Sequence, residues 1–521
     1  MLKSVFTVGG WTMASRVLGF VRDILIAALV GAGPVADAFF VANRLPNLFR
    51  RLFGEGAFNA AFVPSFTGLL AREGPDSARG FANETLAVMT FWLLALTLLL
   101  MVAMPVVMLG FAPGFADNPE KFDLTVDLAR IAFPYMPLIC LTALLSGVLN
   151  GLDRFAAAAA APVIYNLVSI ACMLWLVPYV PTVGHALAWG VSVSGVFQLA
   201  LLLVAVRRAG MRITLPRPRL TPRIRVLVRK MVPGVLGAGV TQINMSVDVI
   251  IATLLPAGTA SILYYADRLN QLPLGVIGIA VGTALLPRLS RAVAAAEAGG
   301  DARAPLVALN QATTYALVLT LPAALALVAV GAPIVAVLFQ RGAFDAASVT
   351  LTAQALAAYA AGLPAFVLVR VLTPGFFARG DTAMPVRIGL WCIALNLALN
   401  VALMGPLQHM GPPLASSLSA WANVGALAVV LYRRGHMAVD RALVLDIARM
   451  AAAGLLMVGV LLVLEQVAYA PLAEERLLRW LGLAVLVGGG LAAYGLAALA
   501  LGLLKPRPLL DLLRRGRKAR D

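Results

Sequence analysis

The sequence predicts an all-α integral membrane protein with about 14 transmembrane helices, built as two parallel six-helix lobes around a central cavity plus two additional C-terminal helices. Three observations carry that prediction. Of 521 residues, 61% are hydrophobic and only 12% charged, with a mean hydropathy of +0.91, where a soluble domain is roughly half apolar and a quarter charged. The apolar residues gather into runs near the roughly 20 residues needed to cross a hydrocarbon core. The chain also resembles itself at an offset of about 225 residues.

Fourteen such runs lie at about 5–31, 35–65, 84–111, 126–150, 157–180, 184–206, 231–256, 261–287, 308–339, 348–373, 383–404, 412–432, 447–467 and 479–503. They are too long and too evenly apolar for the ten-residue alternation of an outer-membrane barrel, and a helix pairs its own backbone groups in lipid. The first run opens like a signal peptide, but Arg16 interrupts it and no small-x-small cleavage site follows, so it reads as a retained helix.

The cations between runs set the expected orientation. Arg207 to Lys230, after the sixth run, holds nine basic residues and no acidic one, and Arg288, Arg291, Arg303, Arg433, Arg434, Arg441 and the tail from Lys505 to Arg520 continue the pattern. The odd connections carry little more than Lys121, Arg341 and Arg476. Both termini are therefore expected in the cytoplasm. The net charge of +17 reports orientation and attraction to anionic lipid heads, with no nucleic acid implied.

The repeat appears in three places. F-V-A-N-R-L at 40–45 matches Y-Y-A-D-R-L at 264–269, with Pro64 and Pro287 about twenty residues on. G-F-A-P-G-F at 110–115 echoes F-Q-R-G-A-F at 339–344, and D-R-F before Pro162 echoes A-R-G-D before Pro385. Six runs per repeat start both halves on the same side, the arrangement of parallel-repeat carriers that open alternately to either face. The expected organisation is an N-terminal lobe at 1–206, a basic connection at 207–230, a C-terminal lobe at 231–432, additional helices at 433–504 and a basic tail at 505–521.

Charges inside the runs point to the site. Arg16, Arg22, Asp23, Asp37, Arg44, Arg50, Arg51, Glu55, Asp248, Asp267 and Arg268 all stand within or beside apolar sequence. Half of them at depth would cost on the order of 15 kcal/mol, so a hydrated cavity is the simplest accommodation. Arg16 and Asp23 fall about 20° apart on one helix face, with Gly19 as a notch between. Pro46 and G-E-G at 54–56 are expected to bend or unwind the second run. The alternative is plain pairing: Arg50 or Arg51 with Glu55, and Arg16 with Asp23. Arg44, Arg51, Asp267 and Arg370 fit that reading best; Arg16, Arg22, Arg50 and Arg268 fit a binding role. The excess is cationic, so the ligand should be an anion, and forked guanidinium donors suit phosphate oxygens. Asp248 is a candidate for ion coupling, or equally a buried paired carboxylate.

No catalytic pattern competes. There is no G-x-x-x-x-G-K-[ST] loop and no H-E-x-x-H. His185, His409 and His436 are scattered, and Cys140, Cys172 and Cys392 lie singly in apolar runs, so neither metal nor cofactor is implied and the chain does not read as an enzyme.

S-R-V-L-G-F-V-R-D at 15–23, G-A-G-x-x-A-D-A-F-F-V-A at 31–42, L-P-N-L-F-R-R-L-F-G-E-G-A-F-N-A-A-F-V-P at 45–64, and Y-Y-A-D-R-L with L-P-x-G-V-x-G-x-A resemble the MurJ (MviN) family of lipid II flippases. That resemblance implies transport of lipid II, the undecaprenyl-diphosphate-linked peptidoglycan precursor, from the cytoplasmic to the periplasmic leaflet of the bacterial inner membrane. It implies cavity roles for Arg16, Arg22, Asp37, Arg50 and Arg268, with Glu55 beside them. It also gives the last two helices a groove for the lipid tail, and cell-wall synthesis or division proteins as further partners. Two rivals remain: a cation-coupled multidrug exporter of the same superfamily, which should have an acidic, aromatic cavity, and a membrane enzyme acting on polyprenyl phosphates, which needs a catalytic cluster on sizeable loops. A division scaffold without transport leaves the intramembrane charges unexplained.

Overall fold

The computed structural model describes residues 2–51, 57–475 and 477–503. Within the described residues the apolar runs fall on helices, and those residues contain no strand. In chain order the helices are α1 (Leu2–Val30), α2 (Pro34–Phe49), α3 (Ala57–Glu73), α4 (Pro75–Val102), α5 (Met104–Phe111), α6 (Pro119–Ala132), α7 (Tyr135–Gly151), α8 (Ala156–Leu176), α9 (Val183–Arg208) and α10 (Pro222–Thr253). They continue as α11 (Thr259–Glu297), α12 (Ala304–Ala329), α13 (Gly331–Phe339), α14 (Ala346–Ala360), α15 (Leu363–Phe377), α16 (Ala383–Leu407), α17 (Gly411–Arg433), α18 (Arg441–Leu464) and α19 (Leu478–Ala500). Among the described residues, nine helical stretches are long and apolar enough to cross a membrane, and the chain is a multi-pass membrane protein.

Several runs that read as single helices are two helices in series, and proline accounts for the breaks. Pro105 has no N–H, so the carbonyl of Met101 loses its usual partner four residues on. The Arg130 Nε donates to that carbonyl instead, at 3.2 Å. Pro134 likewise lies between α6 and α7, and at that break Ser192 of α9 donates its hydroxyl to the Ile131 carbonyl at 2.5 Å. The same breaks recur in the second half. α4 gives way to α5 at 103 and α12 to α13 at 330, 227 residues later; α6 ends at 132 and α14 at 360, 228 residues later. Helix boundaries thus repeat at the offset of the sequence echoes. Pro46 sits inside α2, which ends three residues later at Phe49.

Contacts divide the chain into two compact units, 1–261 with 341–344, and 262–340 with 345–521. In the first, α8 packs on α9 and α1, α7 on α9, α2 on α6, and α10 on α3. That last pairing carries the first unit past residue 231, where the sequence repeat begins. The extended segment before α10 is strapped down: the Asn83 amide donates to the Arg212 carbonyl at 3.3 Å and accepts from the Thr214 N–H at 3.2 Å. Arg223 Nη2 then reaches Glu73 Oε2 at 2.9 Å. The short piece 341–344 joins this unit because Gly342, at φ +58°, lets the Ala343 N–H reach the Ala28 carbonyl at 2.9 Å. A Cβ on Gly342 would stand 2.1 Å from that same oxygen, so glycine is required there.

In the second unit α12 is central, touching α14, α15 and α18, while α16 pairs with α17. Leu289, Leu309, Val371, Leu372, Leu431 and Met450 are buried together at its core. α18 and α19 pack on each other around Met457, Leu461, Leu486 and Tyr494.

Candidate functional site

The charges of α1 are organised by α8. Arg22 is buried, at 9% exposure. Its Nη1 donates to Asn166 Oδ1 of α8 at 3.1 Å and its Nη2 pairs with Asp23 Oδ1 at 3.0 Å. Its guanidinium lies 5.2 Å from the centre of the Tyr165 ring. Asn166 is itself fixed, because its Nδ2 donates to the Ser15 carbonyl at 3.0 Å. Two charge-assisted bonds and an aromatic face therefore hold one guanidinium in a set orientation, with little rotamer freedom left to lose on binding an anion.

The expected geometry of α1 changes in two respects. Asp23 pairs with its neighbour Arg22 rather than with Arg16, and among the described residues Arg16 is exposed and makes no ion pair. Gly19 faces α8: a Cβ there would lie 3.5 Å from the Asn166 amide, in ordinary contact, so the expected notch is already occupied by Asn166 rather than open to a ligand.

Asp37 is held by a second set of partners. Its carboxylate, 1% exposed, pairs with Lys121 of α6, Nζ to Oδ2 at 2.8 Å. Oδ2 also accepts the Gly258 N–H at 2.6 Å, while Oδ1 accepts the Ser261 N–H at 2.8 Å and the Ser261 hydroxyl at 2.9 Å. Lys121 rests over the Phe115 ring, 3.8 Å from its centre. Every oxygen of Asp37 is thus engaged in fastening α2 to α6 and to the start of α11, a clasp inside the first unit.

The remaining candidates are placed as follows. Arg50 follows α2, half-buried, with Nε donating to Asn47 Oδ1 at 3.2 Å. Arg268, half-buried in α11, lies 5.5 Å from the centre of the Tyr264 ring one turn earlier. Asp248 is half-buried five residues before the end of α10. Glu55 falls outside the described residues. The structure brings together Arg22 and Asp23. Asn166, Tyr165 and Ser15 complete that group, and sequence reasoning did not single them out, although an asparagine inside an apolar run was a usable signal. Outside the membrane, a pair at the α15–α16 turn is worth noting. Arg434 Nη1 donates to Asp381 Oδ2 at 2.7 Å and, with the Met384 N–H, holds that carboxyl below its ordinary 3.8.

Comparison with known proteins fits this architecture. The model of the family described as lipid II flippase MurJ matches residues 26–479. The chain belongs to that family. A "Probable lipid II flippase MurJ" of Rhizobium tropici is 44% identical over 469 residues, 89% of this chain and 87% of the relative. Its counterpart from Rhizobium meliloti is 43% identical over 508 residues, 96% and 94% of the two chains. Among solved structures, a lipid II flippase MurJ in an inward closed conformation superposes with a TM-score of 0.76 at 22% identity, covering 95% of this chain and 99% of that one. An inward-facing multidrug resistance MATE transporter of the MOP superfamily gives 0.62 at 15% identity, covering 86% and 98%. At those identities the structures speak for the fold alone, which the flippase family shares with the exporters.

Proposed function

We propose that the chain carries lipid II from the cytoplasmic to the periplasmic leaflet of the bacterial inner membrane, with both termini in the cytoplasm. The observation that carries this reading is Arg22, a buried guanidinium held by Asn166, Asp23 and Tyr165 inside an apolar helix of a chain in the lipid II flippase family. A buried, pre-oriented arginine suits a diphosphate, whose oxygens take its forked donors. An organic cation, the cargo expected of a drug exporter, would be repelled by it. Arg16, Arg50 and Arg268 add positive charge to the same task, and Asp23 orients Arg22 and tempers its charge so that the anion can leave.

Transport follows from the repeat. The two halves open alternately to either face while the polyprenyl tail stays in lipid along α18 and α19. A membrane potential, negative inside, favours the outward movement of a bound anion by about 2.3 kcal/mol per charge per 100 mV. Asp248 is the carboxylate assigned to cation coupling. Proteins of cell-wall synthesis or division are further partners of this reading. The test is complementation of a bacterium depleted of its own lipid II flippase. The chain should restore growth, and Arg22→Ala and Arg268→Ala should fail while remaining in the membrane at normal level. Normal growth of both variants would overturn the site.

A further inference from the structure

Where α7 turns into α8, the first unit holds a cavity of about 480 Å³, within the roughly 300–1,000 Å³ typical of small-ligand sites. Its wall is amphipathic. Arg154 and Arg208 supply positive charge against the one carboxylate in the lining, Asp153, and Leu149, Phe155 and Leu201 supply apolar surface.

The local backbone builds this arrangement. Asp153 adopts the left-handed conformation, φ 57°, and closes α7 with the Arg154 N–H donating to the Leu149 carbonyl at 2.9 Å. That turn directs Arg154 to the end of α9, where its Nη1 donates to the Arg208 carbonyl at 3.2 Å. Among the described residues the rest of its donor fork makes no further bond. α8 begins at the same rim, and Phe155 before it gives no side-chain cap, so its first N–H groups add to the positive field. The ligand this wall accepts is an anion with an apolar extension, because a free phosphate would leave the leucine and phenylalanine surface uncovered.

The cavity also has a place in the membrane. Thr7 near the start of α1, the α7–α8 turn and the end of α9 all line it, and the distribution of cations assigns all three positions to the cytoplasmic side. We propose that this cavity binds one anionic phospholipid of the cytoplasmic leaflet, its phosphate between Arg154 and Arg208 and an acyl chain along Leu149, Phe155 and Leu201. It shares no residue with the Arg22 group, so the proposal stands or falls apart from the transport reading.

Native mass spectrometry of the purified full chain, titrated in detergent with phosphatidylglycerol, phosphatidylcholine of the same chains, or inorganic phosphate, tests it. Phosphatidylglycerol should be retained as a single adduct in preference to phosphatidylcholine. Arg154→Gln and Arg208→Gln should each weaken it about fivefold. Ala157→Phe, which fills the cavity and leaves both arginines in place, should abolish the adduct without lowering the melting temperature of the lipid-free protein. Equal retention of the two lipids, displacement by inorganic phosphate, or full retention by Ala157→Phe would each overturn the proposal.

Discussion

Asp37→Asn is the most exacting test of the clasp between α2, α6 and α11. The side chain is 1% exposed and its oxygens accept four bonds, from Lys121, Gly258 and twice from Ser261. The asparagine can present an oxygen to Ser261 or to Lys121 and Gly258, but its NH₂ then faces donors on the other side. Lys121, 9% exposed, is left as a buried ammonium with no counter-charge. Removing one member of a buried pair costs about 3–5 kcal/mol, and the contact of Lys121 with the Phe115 ring, already present in the parent, does not change that difference. A loss of about 3–5 kcal/mol is expected, a large share of the roughly 5–15 kcal/mol that holds a typical protein folded. Equilibrium unfolding of the detergent-solubilised chain measures it, and Asp37→Asn/Lys121→Met completes the cycle by removing the stranded charge. The double variant should be more stable than Asp37→Asn alone. A single variant within about 0.5 kcal/mol of the parent, or a double variant no better than the single, would refute the clasp.

Three further outcomes are expected. Arg22→Lys should not restore the transport that Arg22→Ala loses, because an ammonium cannot bridge Asn166 and Asp23 as the guanidinium does; complementation by the lysine variant would show that charge alone suffices. Asn166→Leu should cost about 1–3 kcal/mol through loss of the charge-assisted bond to Arg22, and should depress transport in protein that remains folded, read from lipid II flipping per folded molecule in vesicles. Asp381 has a lowered pKa through its bonds from Arg434 and Met384, so its contribution to stability is present above its ordinary 3.8 and disappears as pH falls through the lowered value. Asp381→Asn should therefore lower the melting temperature near neutral pH and leave it unchanged in strong acid, and a shift of equal size at both would contradict the pairing.

The helices were legible because lipid imposes one simple requirement, a long apolar run, and each run met it. The breaks at Pro105 and Pro134 were less so, since a proline inside an apolar run reads as tolerable until the side chains that take up carbonyls at the break, Arg130 and Ser192, are seen. At the candidate site, Arg22 was legible as a charge where none belongs. Its support was not, because Asn166 stands 144 residues away and only the packing of α1 on α8 joins them. Helix-wheel arithmetic failed for Asp23 because adjacent side chains can curl toward each other on one helix. Lys121 read as a lone cation in a connection, and Asp37, 84 residues earlier, turned it into half of a buried pair.

The central claim is movement of lipid II between leaflets, and depletion of the chain from its native cell followed by a leaflet-resolved assay of lipid II tests it most directly. Lipid II should accumulate in the cytoplasmic leaflet within the time of depletion, and re-expression of the parent chain, but not of Arg22→Ala, should return it to the periplasmic leaflet. An unchanged distribution between leaflets after depletion would contradict the account.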